Sequence, residues 1–463
     1  MVNFLLPITF FSKNYSYSIA ETTAMVAFPV FIAIIMLQLF RFPKRLKMIL
    51  PSRSALLLTI ILWLAQLIAM GLSYGKTGDT VLTTGIIHSG ITLATWTMTV
   101  YVAWAVIQLT VITEKDEFAF LKSGLIALAV YLLLVILPQI AVTFHITAFE
   151  QYVNDIARLF ERHWRTHTDY NFYINGSYVA TEGRVNGFEP EAAFLANLLG
   201  VVYLPILIGI TASGQKFWSW TKTKIGDQVV NTIFSFIILL VLLLAKTTTG
   251  ILTAGIAYIL WIIWSQNHLR KNLVGLAVIG LFFIVFAYLK VGVIHDTFNQ
   301  FLFAKQGTDN RLGGTIALAL TFLTHPILGV GYGFTSFFIL KNVPISTTHN
   351  FEFQNVYSQF GYPNLSDFLG WFASFGLVIM IPALWLIFRL IARTYLVKYR
   401  VGRLQLTEKE MAWHQGIIIS FITMIILATF SSIFVIQVFL WPYLLMFFFY
   451  RKHIIRLEQE LKS

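Results

Sequence analysis

Eleven apolar stretches, each at or near the length that crosses a lipid bilayer as a helix, limit most strongly what this sequence can fold into. A spanning helix needs about 20 largely apolar residues. The stretches lie near residues 22–40, 55–73, 81–112, 123–145, 190–212, 228–245, 250–265, 272–290, 366–390, 414–433 and 434–450. The chain of 463 residues is 57% hydrophobic and 12% charged, whereas soluble domains are roughly 25% charged. The sequence therefore predicts an all-α polytopic membrane protein, a single integral membrane domain over 1–463 with about 11–12 transmembrane helices.

The charge of the connecting segments predicts how these helices are oriented. The connection between the first two stretches, "RFPKRLKMILPSR", holds five basic residues and no acid. Short basic loops stay in the cytoplasm. Alternation then places the C-terminal tail in the cytoplasm and two long segments, 146–190 and 291–365, on the external side. The net charge of +12 follows the same rule, so we expect no nucleic-acid partner.

The two long external segments are predicted to carry short helices and the functional part of the protein. In 146–190, "EQYVNDIARLFERHW" places four large apolar residues on one helical face: Tyr152, Ile156, Leu159 and Phe160. In 291–365, the run "TIALALTFL" is too short to span, so we expect a helix in the membrane plane or packed over the bundle. Loops longer than about 15 residues are usually functional or disordered, and these are too apolar for disorder.

Several charged residues lie where the external segments meet the membrane. Ionisable groups at that depth are functional by default, although snorkelling side chains and structural salt bridges are the alternative. Three are cations that suit a phosphate or pyrophosphate: Arg184, Arg311 and Lys246. Two are carboxylates where the fifth stretch begins, Glu189 and Glu191, and Glu189 precedes a proline, so it could equally mark a helix start.

Histidines and glycines of 291–365 supply further candidates. The segment "HPILGVGYGF" joins His325 to three glycines that permit unusual backbone angles or close approach: Gly329, Gly331 and Gly333. His349 could act as a general base near neutral pH, although a lone loop histidine is more often solvated. The chain has no cysteine and no His/Asp/Glu cluster at metal-ligand spacing, so the sequence predicts neither a metal nor a cofactor.

Three segments resemble the O-antigen polymerase and ligase superfamily, integral membrane proteins that join lipid-linked polysaccharide units. They are "GRVNGFEPEAAFLANLL" (183–199), "NRLGGTIALALTFLTHPILGVGYG" (310–333) and "LSDFLGWFASFGLVIMI" (365–381). Their order and the predicted topology agree with that family over most of the chain. The resemblance implies a GT-C-like fold in the cytoplasmic membrane of a bacterium, with a cytoplasmic C-terminus.

The resemblance also assigns roles to the candidate residues. Arg184 and Arg311 match arginines that face a polyprenyl pyrophosphate in an outward cavity, which residues 325–333 would wall. Lys246, followed by three threonines, stands where the family commonly has a serine and an arginine. Ser366 and Asp367 stand where many members have His-Asn. The general base is therefore left open among four residues: His349, Asp367, Glu189 and Glu191.

The implied function is metal-independent glycosyl transfer at the external face. A hydroxyl of one polyprenyl-pyrophosphate-linked oligosaccharide attacks the anomeric carbon of another, and polyprenyl pyrophosphate leaves with inversion. The product is an exopolysaccharide, capsule or O-antigen, and the partners are both lipid-linked oligosaccharides, the lipid bilayer and, as a further candidate, a chain-length regulator. The alternatives are an O-antigen ligase and a lipid-linked oligosaccharide or anion transporter (flippase), for which we expect inverted repeats and broken helices.

Overall fold

The computed structural model describes residues 27–161, 171–292, 295, 308–401, 408–430 and 440–460, and within these ranges it has helices and no strand. Each apolar stretch coincides with a helix: Ala27–Arg41, Arg53–Thr77, Ile86–Thr110, Glu114–Thr143, Ala192–Ser213, Lys224–Leu244, Thr248–Trp264, Asn267–Lys290, Asp367–Val401, Glu408–Phe430 and Trp441–Glu460. Helices follow the apolar runs because a helix satisfies its backbone groups internally where no water is present.

Eight of these helices are long and apolar enough to cross a membrane. Of the other three, Ala27–Arg41 and Thr248–Trp264 are shorter, and Trp441–Glu460 ends in a charged segment. Residues 22–26 and 431–439 of the predicted stretches lie outside the described residues. The predicted class, an all-α multi-pass membrane protein, is confirmed. The predicted number of about 11–12 transmembrane helices and the GT-C-like arrangement stay predictions.

The helix Ala192–Ser213 lies at the centre of the bundle. Of its apolar window, 89% is buried inside the protein, against 6% for Asn267–Lys290. A Cβ atom on Gly209 would lie 2.2 Å from the carbonyl oxygen of Ala412, so this glycine lets the helix Glu408–Phe430 pack closely. The segment that carries the candidate residues before Ala192 is therefore anchored to the most enclosed of the eight helices.

Polar contacts at the two ends of the bundle join segments that the sequence assigns to the same side. At one end, the carboxylate of Glu117 accepts hydrogen bonds of 2.9 and 3.0 Å from Arg456, which ties Glu114–Thr143 to the C-terminal helix. At the other end, Nζ of Lys76 lies 3.2 Å from Nε2 of His325. These contacts agree with the predicted alternation of the connecting segments.

The segment 146–190 contains the helix predicted for it, at Glu150–Phe160. Of the predicted face, Ile156 and Phe160 pack against the core, whereas Tyr152 and Leu159 are exposed; Val153 and Ala157 are buried beside them. The helix packs against the end of Glu114–Thr143, and the ring of Phe160 contacts that of Phe188. Residues 162–170 lie outside the described residues.

The segment 291–365 contains a helix of 17 residues, Thr308–Thr324, where the sequence predicts a short one. It packs against the helices Thr335–Asn342 and Asp367–Val401. Residues 293, 294 and 296–307 lie outside the described residues. The helix is therefore part of the packed protein, and its position in the plane of a membrane stays a prediction.

Candidate active site

Arg184 and Lys246, two cations from separate parts of the sequence, lie close together. Nζ of Lys246 donates a 3.0 Å hydrogen bond to the carbonyl oxygen of Gly183, the residue before Arg184. Burial, and then the positive charge of Arg184, lower the pKa of Lys246 from its ordinary value. Two cations that repel each other favour an anion beside them, because the added negative charge relieves that repulsion.

The backbone at Lys246 has a conformation that glycine usually adopts. Ala245 is the C-cap of the helix Lys224–Leu244, and Lys246 follows with a φ of 48°, in the left-handed region. A side chain there costs roughly 1–2 kcal/mol, which is why glycine is common after a helix. Strained positions concentrate at functional sites. A lysine in this position is therefore consistent with a functional role for its ammonium group.

Tyr178 and Glu191 complete a group of four residues that we call the Arg184 cluster (Tyr178, Arg184, Glu191 and Lys246). Burial raises the pKa of Tyr178, and the negative charge of Glu191 raises it further. The charge of Arg184 and a hydrogen bond from it lower the same pKa. The guanidinium of Arg184 and the carboxylate of Glu191 therefore both lie near the Tyr178 hydroxyl.

Buried polar residues fix the loop that carries Arg184. The carboxylate of Glu161 is fully buried and accepts hydrogen bonds from the backbone N of Tyr178 at 3.2 Å and from Nδ2 of Asn186 at 2.5 Å. The side chain of Gln139 exchanges two bonds with the backbone of Gly187, at 2.8 and 2.9 Å. Because these bonds lie on both sides of Arg184, its backbone is positioned before any ligand binds.

A second group of polar residues, the Glu352 network, comes from 291–365 and consists of Asn310, Asn350, Glu352, Tyr357 and Tyr362. The carboxylate of Glu352 accepts hydrogen bonds from Nδ2 of Asn310 at 2.7 Å and from the Tyr357 hydroxyl at 2.6 Å. The amides of Asn310 and Asn350 bond reciprocally at 3.1 and 2.6 Å. The Tyr362 hydroxyl donates to the carbonyl oxygen of Asn310. The network joins the helix Thr308–Thr324 to the following loop.

Glu191 connects the two groups. Burial raises the pKa of Tyr357, the charge and hydrogen bond of Glu352 raise it further, and the charge of Glu191 adds to the same rise. Glu191 therefore lies within electrostatic range of both Tyr178 and Tyr357. The Arg184 cluster and the Glu352 network are therefore near enough for the charge of Glu191 to act on Tyr357.

Two predicted site residues border the Glu352 network. Arg311 is exposed and directly follows Asn310, which is 1% exposed. His349 is exposed and directly precedes Asn350. The network therefore fixes the backbone next to each of these two side chains.

Two predicted bases occupy more buried positions. Glu189 is 6% exposed, and its carbonyl oxygen accepts a 2.6 Å hydrogen bond from Asn186. Asp367 is 1% exposed and begins the helix Asp367–Val401, where the helix dipole stabilises a carboxylate. Both positions suit a structural role better than contact with a sugar hydroxyl.

The glycine turn, residues 325–333, packs into a break in the helix Asp367–Val401. The break lies at Gly376, with φ 62° and ψ −177°. Backbone hydrogen bonds of 2.8–3.1 Å join the two segments in both directions: Val330 to Ala373, Gly331 to Ser374, Leu377 to Pro326 and Val378 to Ile327. A Cβ atom on Gly329 would lie 2.5 Å from the carbonyl group of Ser374. Gly329 and Gly331 therefore serve backbone packing, and their part in a cavity wall stays a prediction.

The two ends of the glycine turn lie near the connection between Arg53–Thr77 and Ile86–Thr110. At one end, burial and then the charges of Lys76 and Lys341 lower the pKa of His325, which favours a neutral imidazole. At the other end, a Cβ atom on Gly333 would lie 2.0 Å from the Thr84 hydroxyl. Thr84 lines an open cavity of about 430 Å³. Gly333 therefore packs against a residue of this cavity, whose lining includes neither Gly333 nor the Arg184 cluster.

Four residues of the two groups were not predicted from the sequence: Tyr178, Asn310, Glu352 and Tyr357. Amides, phenols and a single loop carboxylate have no spacing that distinguishes a functional residue from a solvated one. The only available signal was the position of Glu352, three residues after His349. The tertiary contacts of these residues are what identifies them.

Fold and site together define the class: an all-α, multi-pass membrane protein whose two long connecting segments carry the Arg184 cluster and the Glu352 network. No protein-family model matches the chain, and no curated protein matches it. A functional assignment therefore depends on the geometry of the site and on the resemblance in sequence.

Proposed function

We propose that this protein is a membrane glycosyltransferase that polymerises polyprenyl-pyrophosphate-linked oligosaccharides at the external face of the membrane. The resemblance to the O-antigen polymerase and ligase superfamily suggests this reaction. The observation that carries the proposal is the closeness of Arg184 and Lys246, with Glu191 in the same cluster and with Glu352 near enough that both carboxylates act on Tyr357. Such a site can bind an anionic leaving group and accept a proton.

Arg184 and Lys246 suit the pyrophosphate of the donor. A guanidinium binds two phosphate oxygens at once, and an ammonium adds a compact positive charge. Negative charge grows on the leaving oxygen as its bond to the sugar breaks, and preorganised cations stabilise that charge. The hydrogen bonds of Glu161 and Gln139 hold the loop in place, so little rearrangement is needed during the reaction.

In the proposed reaction, the hydroxyl oxygen of the acceptor forms a bond to the anomeric carbon of the donor. The bond from that carbon to the pyrophosphate oxygen breaks, and its electron pair stays on the pyrophosphate. The hydroxyl proton passes to a carboxylate. One displacement inverts the anomeric configuration, and the pyrophosphate bond supplies the driving force. Arg311, next to the Glu352 network, provides a further cation.

A lipid-linked oligosaccharide transporter is a second candidate, because the broken helix at Gly376 is a feature of transporters. In transporters, the backbone groups freed by such a break bind substrate or ions. In this protein, backbone groups on both sides of the break bond to the glycine turn. This difference favours the transferase.

Purified protein in lipid nanodiscs can test the proposal. The substrates would be lipid-linked oligosaccharides extracted from the membranes of cells that make the protein. We expect a ladder of longer lipid-linked products from the wild type and none from Arg184→Ala. Transfer of one chain to a lipid A core would instead indicate a ligase. In vesicles, movement of the substrate across the bilayer without a new linkage would indicate the transporter.

A further inference from the structure

We propose that Glu352 is the general base that takes the proton of the attacking hydroxyl. Asn310 and Tyr357 act as positioning residues for its carboxylate. This inference rests on the glycosyl transfer proposed above, and it assigns a role that the sequence left open among four other residues.

The carboxylate of Glu352 is held at both oxygens and still has free acceptor capacity. One oxygen accepts a 2.7 Å bond from Asn310, and the other accepts a 2.6 Å bond from Tyr357. A carboxylate oxygen has two lone pairs, so each oxygen can accept one more hydrogen bond. The Glu352 side chain is exposed, and a sugar hydroxyl can therefore reach it.

The two donors that hold Glu352 are themselves fixed. Asn310 is 1% exposed, bonds reciprocally with Asn350, and accepts a bond from Tyr362 at its carbonyl oxygen. Burial, and then Glu352 itself, raise the pKa of Tyr357, so its hydroxyl keeps its proton and donates at neutral pH. Because Asn310 directly precedes Arg311, the residue that positions the base also fixes the backbone beside a cation.

The other candidate bases are placed less well for this step. Glu189 and Asp367 are buried, at 6% and 1% exposed. Glu191 shares Tyr178 with Arg184 and so lies on the side that binds pyrophosphate. His349 is exposed, three residues before Glu352, and could contact the acceptor without removing its proton.

The proposed step balances without a further reactant. The acceptor O–H bond breaks and its proton moves to Glu352. The oxygen–carbon bond forms as the carbon–pyrophosphate bond breaks. The protonated carboxyl group then releases its proton to water, and polyprenyl pyrophosphate leaves with the electron pair.

Azide separates a base from a residue that only supports the site, because azide attacks carbon without losing a proton. Purified protein would be given extracted lipid-linked oligosaccharides with and without sodium azide. We expect Glu352→Ala and Glu352→Gln to lose about 100-fold or more of polymer formation, a typical effect of removing a general base. Formation of the glycosyl azide by Glu352→Ala should stay near the wild-type rate. Arg184→Ala should lose both products.

The control is Glu150→Gln, which removes an exposed carboxylate from the helix Glu150–Phe160 and should keep full activity. Unchanged affinity of Glu352→Gln for inorganic pyrophosphate shows that the site is folded. Polymer formation by Glu352→Gln at the wild-type rate overturns the inference, and so does loss of the glycosyl azide in Glu352→Ala. If the wild type makes neither product, the proposed function itself is wrong.

Discussion

Lys246 donates a hydrogen bond of 3.0 Å to the carbonyl oxygen of Gly183, which ties the turn after Lys224–Leu244 to the loop that carries Arg184. The ammonium and the guanidinium therefore reach one site from two distant parts of the sequence. Their repulsion adds to burial in lowering the pKa of Lys246. A bound pyrophosphate would reverse this unfavourable interaction, so each cation should contribute to affinity through the other.

Removal of Arg184 is expected to abolish polymer formation without preventing membrane insertion. Loss of one preorganised group that stabilises the leaving charge typically lowers the rate by about 10²–10³-fold. Turnover of lipid-linked oligosaccharides and the affinity for inorganic pyrophosphate would both be measured for Arg184→Ala. The matched control is Arg158→Ala, whose side chain is 76% exposed in a surface pair with Asp155. A normal distribution of chain lengths in Arg184→Ala would contradict the proposed site.

Arg311→Ala tests the second long segment in the same assay. We expect it to abolish polymer formation too, because Arg311 is held beside the base by Asn310 and faces the same leaving group in the proposed reaction. If only Arg184→Ala lost activity, Arg311 would lie outside the reacting centre. The donor would then have to bind in a different position for Glu352 to reach the attacking hydroxyl.

The affinity for inorganic pyrophosphate should fall as the pH rises toward the ordinary pKa of lysine. The pKa of Lys246 is lowered, first by burial and then by Arg184, so its charge is present below that lowered value and is lost as the pH rises through it. Lys246→Arg keeps its charge throughout, because the guanidinium of arginine has a pKa above about 12. Calorimetric titrations between pH 7 and 10 should show a steeper loss for the wild type. Parallel curves would exclude Lys246 from the binding site.

Lys246→Gly separates the backbone preference at this position from the function of the side chain. Glycine adopts the left-handed conformation without strain, which favours the folded state by roughly 1 kcal/mol. The thermal stability of the protein in detergent should therefore be kept, while pyrophosphate affinity falls. A purely structural lysine, held by its bond to Gly183, predicts the opposite result: a lower Tm with unchanged affinity.

The helices could be predicted from the sequence, but the break at Gly376 could not. Apolar runs must be helical in a membrane, and each of the eleven runs contains a helix. Gly376 lies in such a run, and the break exists only because the distant glycine turn supplies hydrogen-bond partners. Arg184 and Lys246 could be recognised from the sequence because a positive charge next to an apolar stretch is unfavourable. Glu352 could be recognised only from its hydrogen bonds with Asn310 and Tyr357.

A methyl group at Gly376 is expected to destabilise the protein. Its Cβ atom would lie 2.3 Å from the carbonyl oxygen of Ile327, at a φ of 62°. Backbone strain of this kind costs about 1–3 kcal/mol, and the steric clash adds to it. We expect a lower Tm in detergent for Gly376→Ala. The control is Gly71→Ala in the helix Arg53–Thr77, where a Cβ atom meets nothing within 4 Å and alanine favours the helix.

Gly329→Ala disturbs the same contact from the other side, since its Cβ atom would lie 2.5 Å from the carbonyl group of Ser374 at a φ of 69°. Residues that share one contact do not add their effects. If the glycine turn and the broken helix form one unit, the double variant should lose less stability than the sum of the two single losses, because the first substitution already separates the two backbones. Additive losses would show that the turn and the break are held independently.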